Sequence, residues 1–245
     1  MASQTTHSIG ILIHGCHLQA EGKGFDWHKL VFGTAEEPGR VPHALELLFV
    51  YQKVEDVKLL FWGTGASKIT LDDGTEELES QHTYRLATTT ELPWMAARIG
   101  REAEEVLSLL QKISYIDKKT QNTSEEVRVA VKQCKKREIE VLISVSSTSH
   151  IQRCLTDLVT YNKERQERLF IMASPSATGF GDTLMLEAPH RGAQRKPPEE
   201  LYPNVIGRKM LKLMKDFDLY VEYLEQWNQL TDDFARRLTV VPKSA

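Results

Sequence analysis

The chain has 245 residues, 41% hydrophobic and 27% charged, enough to bury one sizeable core with appendages but no case for two equal domains. Its formal net charge of -3 gives no electrostatic footprint for nucleic acid or an anionic membrane surface. Cys16, Cys134 and Cys154, at wide and uneven spacing, form neither a disulfide framework nor a CxxC pair, so a cytoplasmic protein with reduced thiols is expected.

The N-terminal stretch MASQTTHSIGILIHG has no basic region, and its apolar run is shorter than a signal or transmembrane segment requires. Ile9 to Ile13 reads instead as a first buried strand, ending in His14-Gly15-Cys16-His17, where glycine permits a sharp turn or a close approach to a ligand. Residues 18 to 39 carry four glycines and a proline without periodicity and are read as a long loop. From Val41 to Tyr51 the spacing of Ala44, Leu45, Leu48 and Phe49 predicts a helix, with Arg40 at its start. Val57 to Trp62 is a second strand that closes on Gly63-Thr64-Gly65-Ala66-Ser67. An acidic helix is expected from Glu76, and a longer one from about Pro93 to Gln111, followed by a short strand at Ile113 to Ile116. Asn122 and Thr123 ahead of Glu125 and Glu126 have the pattern of a capped helix start.

The most informative stretch is Glu140 to Arg153. Val141 to Val145 is a short β-branched run of the kind buried on both faces of a parallel sheet. It empties through Ser146, Ser147, Thr148 and Ser149 into a helix that begins with His150 and Arg153. Such a turn presents backbone N–H groups and a positive dipole end at the mouth of the sheet, where anions bind. Arg168 to Ala173 makes a last strand. Residues 179 to 200 read as an irregular arm, and 204 to 238 as helix with an apolar stripe from Ile206 to Trp227 that packs on the sheet or pairs in a homodimer.

The recurring strand, turn, helix unit predicts an α/β, Rossmann-like fold: a mostly parallel sheet with helices on both faces over residues 1–178, and a C-terminal helical extension over 179–245. Right-handed crossovers bring the strand ends carrying His14, Gly63 and Ser146 to one rim, with Asn122 at the start of a helix beside them. The candidate chemical groups are His14, His17, His150 and Cys16. Gly15, Arg40, Gly63, Thr64, Gly65, Glu76, Asn122, Thr123, Ser146, Ser149, Arg153, His190 and Arg191 are the candidate ligand-binding residues. Each has a plainer alternative: Asn122 and Thr123 as a helix cap, Arg153 paired with a glutamate, Cys16 as a small buried residue, His190 and Arg191 in a solvated loop. His14 and His17, with His150 or His190, could also hold a divalent metal, although no closed ligand set is present. Gly63-Thr64-Gly65 lacks the Gly-Lys-Ser/Thr of a Walker loop.

These residues resemble the YdcF/SanA-like family, a Rossmann-like group defined by a domain of unknown function. The resemblance is carried by Arg40, Gly63-Thr64-Gly65, Glu76 to Glu79, Thr120 to Glu126, and Ser146 to Arg153, in order over residues 9 to 173. The Asn-Thr and His-x-x-Arg pieces are its specific parts. The chain departs from the family where His14-Gly15-Cys16-His17 replaces the first glycine turn and Glu126 replaces the final asparagine of the Asn-Thr motif. The resemblance implies a small ligand at the rim, S-adenosylmethionine or a nucleotide. The expectation is an enzyme, a hydrolase or transferase, acting on a small polar or anionic metabolite by histidine acid/base chemistry. A ligand-binding or sensing module without turnover is the alternative.

Overall fold

The computed structural model describes residues 6–16, 27–63, 68–71, 73–147, 150–165 and 168–178. The expected C-terminal extension, and with it His190 and Arg191, lies outside the described residues, as do His17, Thr64, Gly65 and Ser149.

Five parallel strands form the central sheet: β1 (Ser8–Ile13), β2 (Asp56–Trp62), β5 (Ser114–Ile116), β6 (Val141–Ser147) and β7 (Phe170–Ser176). Their order is β5-β2-β1-β6-β7, a Rossmann-like arrangement. The chain builds outward from β1 to β2 and β5, then crosses back to place β6 on the other side of β1. Strand order therefore reverses between β1 and β6, which pair in register from Ile9↔Val141 to Ile13↔Val145.

Alternation along the strands divides the core. Ile9, Ile11, Ile13, Val141, Ile143 and Val145 face one layer, made by α1 (Trp27–Val31), α2 (Arg40–Tyr51), α4 (Leu92–Arg98) and α5 (Ala103–Ile113). Leu12, Leu59, Phe61 and Leu142 face the other, against α6 (Thr123–Lys136) and α7 (Ile151–Glu164). On this second face β6 is apolar only at its beginning. Ser144 and Ser146 follow Leu142 at two-residue spacing, and both are fully buried.

Three expectations are corrected. The stretch read as a continuous loop before Arg40 contains α1, whose Trp27, Leu30 and Val31 are buried. The helix expected at Glu76 starts three residues later: Glu76 lies in β4 (Glu76–Leu78), which pairs with β3 (Lys68–Thr70), and α3 spans Glu79–Ala87. Thr75 and Asp73 make a local turn instead of a cap, which gives the acidic residues to a hairpin. The single helix expected from Pro93 is two, because Gly100 adopts a left-handed φ of 65° between α4 and α5.

At the rim of β2, Gly63 leaves no room for a side chain. A Cβ there would stand 2.7 Å from the Ile13 carbonyl oxygen and 3.0 Å from the Glu126 carboxyl group. The first neighbour is backbone of the adjacent strand and cannot yield. Gly63→Ala is expected to destabilise the fold by about 1–3 kcal/mol, the usual cost of overpacking, measured by chemical denaturation. A cost below about 0.5 kcal/mol would mean that the two strand ends are looser than this packing implies.

Candidate functional site

The sequence of β1 ends at His14, whose side chain turns to the α6/α7 face. It is 2% exposed. Its Nδ1 lies 2.9 Å from Glu126 Oε2, and its Nε2 lies 3.0 Å from Ser144 Oγ. Burial works against a charge on the ring, but the neighbouring Cys154 and Glu126 outweigh it and raise the His14 pKa to about 9. An imidazolium suits these partners, since both ring N–H groups then have an acceptor.

Glu126 sits on the buried face of α6 with Ala130 and Cys134, one and two turns further on. Besides holding His14, its Oε1 accepts from Gly15 N–H at 3.4 Å. The next N–H of the turn, that of Cys16, donates to Glu79 Oε1 at the start of α3. Arg40, the first residue of α2 and fully buried, completes the clamp. Its Nη1 donates to the carbonyls of His14 (3.0 Å) and Gly15 (2.7 Å), and its Nη2 donates to Ser147 Oγ at 3.2 Å. Arg40 thus ties the end of β1 to the end of β6 with its guanidinium committed to protein oxygens. A cavity of about 10 Å³, the room of roughly one water molecule, lies here between His14, Gly15, Arg40, Gly63, Glu79 and Thr83.

On the other side of His14 stands His150, the residue that precedes α7. The two rings meet edge to face with centroids 6.1 Å apart. His150 Nδ1 is 3.1 Å from Ser146 Oγ and 3.6 Å from Cys154 Sγ, and its Nε2 is 3.3 Å from Thr123 Oγ1. Asn122 caps α6, accepting from Glu125 N–H at 3.0 Å. Arg153, 3% exposed, lies in the first turn of α7 and approaches Asp157 Oδ2 at 3.9 Å. Burial lowers its pKa, outweighing the opposing influence of the neighbouring Cys154 and Glu126.

Of the expected residues, then, His14, Thr123, Ser146, His150 and Arg153 lie in one buried cluster, and Gly15, Arg40, Cys16 and Gly63 surround the end of β1 beside it. Glu76 does not join them: it is exposed on the β3/β4 hairpin and pairs with Lys68 at 2.8 Å. Glu79, three residues on, is the carboxylate that reaches the rim. The sequence reading also gave no site role to Ser144, Cys154 and Asp157, and treated Glu126 only as part of a helix start and as a departure from a motif. A serine inside an apolar strand and a glutamate on an apolar helix face were the available signals, because neither is buried without a partner. Among the described residues, no three His, Cys, Asp or Glu side chains gather as metal ligands, and no helix is long and apolar enough to cross a membrane. A roomier depression of about 620 Å³ lies at the opposite end of the sheet, around Gln52, Lys58 and Lys112, and contains none of these groups.

Comparison with models of known protein families, with curated proteins and with solved structures gives no match to this chain.

Because the folded state holds the His14 proton more tightly than an unfolded chain would, its contribution to stability is complete below the ordinary histidine value of 6.5. It is lost as pH rises through about 9. Unfolding free energy should therefore fall between about pH 6.5 and pH 9, and His14→Gln should flatten that decline. An unchanged slope in the variant would assign the decline to other groups.

Proposed function

We propose that the protein binds a small polar or anionic metabolite at the rim between β1 and β6, and acts on it as a hydrolase or transferase through histidine acid/base chemistry. One observation carries this reading. Where strand order reverses, the position at which open α/β sheets receive ligands, the core changes from apolar to ionisable: His14, Glu126, His150 and Arg153 are all buried there within one cluster. A scaffold with no site would fill that volume with apolar side chains at lower desolvation cost.

The roles differ. His14, held by Glu126 and charged at neutral pH, supplies a fixed positive charge or a proton to give. His150, between two hydroxyls and a thiol, is the group that moves a proton during turnover. The N-terminal end of α7, with no acidic residue in its first turn, favours negative charge on the ligand. The resemblance to the YdcF/SanA-like family adds the ligand class: its two specific pieces, around Asn122–Glu126 and His150–Arg153, both belong to this rim, and they favour a nucleotide-like or S-adenosylmethionine-like ligand. A reducing cytosol suits the three cysteines, all buried and none in a disulfide.

A second reading, a binding module without turnover, is favoured by a specific observation. Each ring nitrogen of His14 and His150 is already within hydrogen-bonding distance of a protein side chain, so neither ring needs a substrate to complete it.

The two readings separate on His150→Gln. Ligands found by screening nucleotides and S-adenosylmethionine analogues are assayed for affinity and turnover. The enzyme reading expects binding within about tenfold of wild type, about 1.4 kcal/mol, and a rate at least about 10²-fold lower, as for loss of a general acid or base. Binding with no turnover of any ligand in the wild type would leave the binding module in its place.

A further inference from the structure

The rim has two halves of opposite character. At the end of β1 the protein's own charged side chains hold the turn. Glu126 and Glu79 accept from the N–H groups of Gly15 and Cys16, and Arg40 donates to the carbonyls of His14 and Gly15. A glycine turn whose N–H groups are capped by two carboxylates, with the Arg40 and His14 charges paired to the same turn, has no N–H left to offer a phosphate. The close approach that Gly63 allows is likewise taken, by the Glu126 carboxyl group.

At the end of β6 the arrangement is inverted. α7, 14 residues long, begins there with no acidic residue in its first turn, so the positive end of its dipole is uncompensated by its own sequence. α6, of equal length, begins alongside through the Thr123–His150 and Ser124–Asp157 contacts, but its own first turn carries Glu125 and Glu126, so the uncompensated end is that of α7. Arg153 is buried in that corner, and its Nε and Nη1 donate to no acceptor among the described residues. The ion-pair partner, Asp157 Oδ2, is 3.9 Å away, beyond hydrogen-bond reach, and accepts from Ser124 Oγ at 3.1 Å. Arg40, just as buried, places Nη1 and Nη2 on three oxygens. Two guanidinium nitrogens left without acceptors in the interior are disfavoured unless something else supplies an oxygen.

We propose that Arg153 and the first turn of α7 receive an oxyanion of the ligand, a phosphate or a carboxylate, so that the substrates of this site carry their negative group on the β6 side of the rim and not at the glycine turn after β1. The inference rests on the rim being the ligand site. It adds to that reading where the anion sits, which residue recognises it, and which turn does not.

The test uses the full chain and simple anions. Sodium phosphate, sulfate and acetate are titrated at constant ionic strength against chloride, followed by thermal shift and calorimetry. At least one should raise the unfolding midpoint saturably; phosphate and sulfate acting without acetate would identify a tetrahedral group, and acetate acting alone a carboxylate. Arg153→Met should weaken the effective anion by about tenfold or more, and Arg153→Lys should restore part of that loss. Asp157→Asn changes the affinity in the other direction: with the competing carboxylate removed, the same anion should bind about threefold tighter or more. That variant decides the matter if Arg153→Met does not fold. An Arg153→Met protein that binds like wild type, an Asp157→Asn protein of unchanged affinity, or no saturable response to any of the three anions overturns the proposal. Turnover of a nucleotide that survives Arg153→Met unchanged overturns it while leaving the enzyme reading intact. Oxyanion binding that depends on Arg153 in a protein that turns over nothing supports it without the enzyme reading.

Discussion

Glu126 is a carboxylate that the fold has taken out of water, and the rest of the rim follows from the need to accommodate it. An ionised carboxylate in the interior is tolerated only where partners replace its hydration. Here they are the His14 ring and the Gly15 N–H, both from the end of β1, and the glycine at position 63 is what lets the carboxyl group come so near the end of β2. One side chain on α6 thereby helps to hold the end of the central strand, orients its histidine, and limits the residue allowed at the end of the neighbouring strand. Arg40 and Glu79 repeat the device from α2 and α3. Three helices from both layers thus hold three consecutive residues, His14 to Cys16, by charge-assisted hydrogen bonds, which are shorter and roughly twice as strong as neutral ones.

This arrangement gives the sheet a gradient along its strands. Toward the N-terminal ends, the α6/α7 face is Leu59 and Leu142, then Leu12 and Phe61 level with Ser144, packed on Val127, Val131 and Leu158. Toward the C-terminal ends, the same face is His14, Ser144 and Ser146. The apolar half supplies rigidity by burial, at roughly 25 cal/mol per Å² of apolar surface removed from water. The polar half is held in place by it. Pre-organised charges in a low-dielectric surrounding need no rearrangement when a ligand's charge arrives, which is why such groups act strongly at sites and are costly elsewhere.

The α/β class was legible because it depends on short-range patterns: β-branched runs of strand length, hydroxyl-rich turns after them, and helical spacing beyond. Those patterns also brought His14, Ser146, His150 and Arg153 to the strand ends and helix starts where they lie. What escaped was pairing across distance. His14 and Glu126 are 112 residues apart, and nothing local in Thr123 to Lys136 distinguishes a glutamate that caps a helix from one that reaches across a layer. The choice of Glu76 over Glu79 failed for a related reason. Acidic residues in a row look alike until the hairpin of β3 and β4 shows which of them precede the helix, and only Glu79 falls on its buried side. Ser144 and Cys154 were hidden by their settings, a small polar residue in an apolar strand and a thiol on an apolar helix face, each of which passes for filler.

The two buried arginines show how far burial alone can mislead about role. Arg40 and Arg153 both begin helices at the same rim, and a sequence reading assigns both to an anion. Their surroundings separate them. Arg40 faces carbonyl oxygens and a serine hydroxyl whose positions the backbone of β1 and β6 already determines, so its charge is used in joining the strands at the point where their order reverses. Arg153 faces Asp157 at a distance too long for a hydrogen bond, with Nε and Nη1 unmatched. A charge whose terminal nitrogens are both hydrogen-bonded in the folded chain, as Arg40 Nη1 and Nη2 are with Nε outside those bonds, contributes to stability, and bringing it to a ligand would require breaking them. One whose hydrogen bonds are incomplete holds interaction energy that folding has not realised, and binding can realise it without first undoing the fold. The same comparison extends to the histidines: His14 is complete within its Glu126 and Ser144 contacts as an imidazolium, whereas the partners of His150 include two hydroxyls and a thiol, groups that can donate or accept as its proton comes and goes.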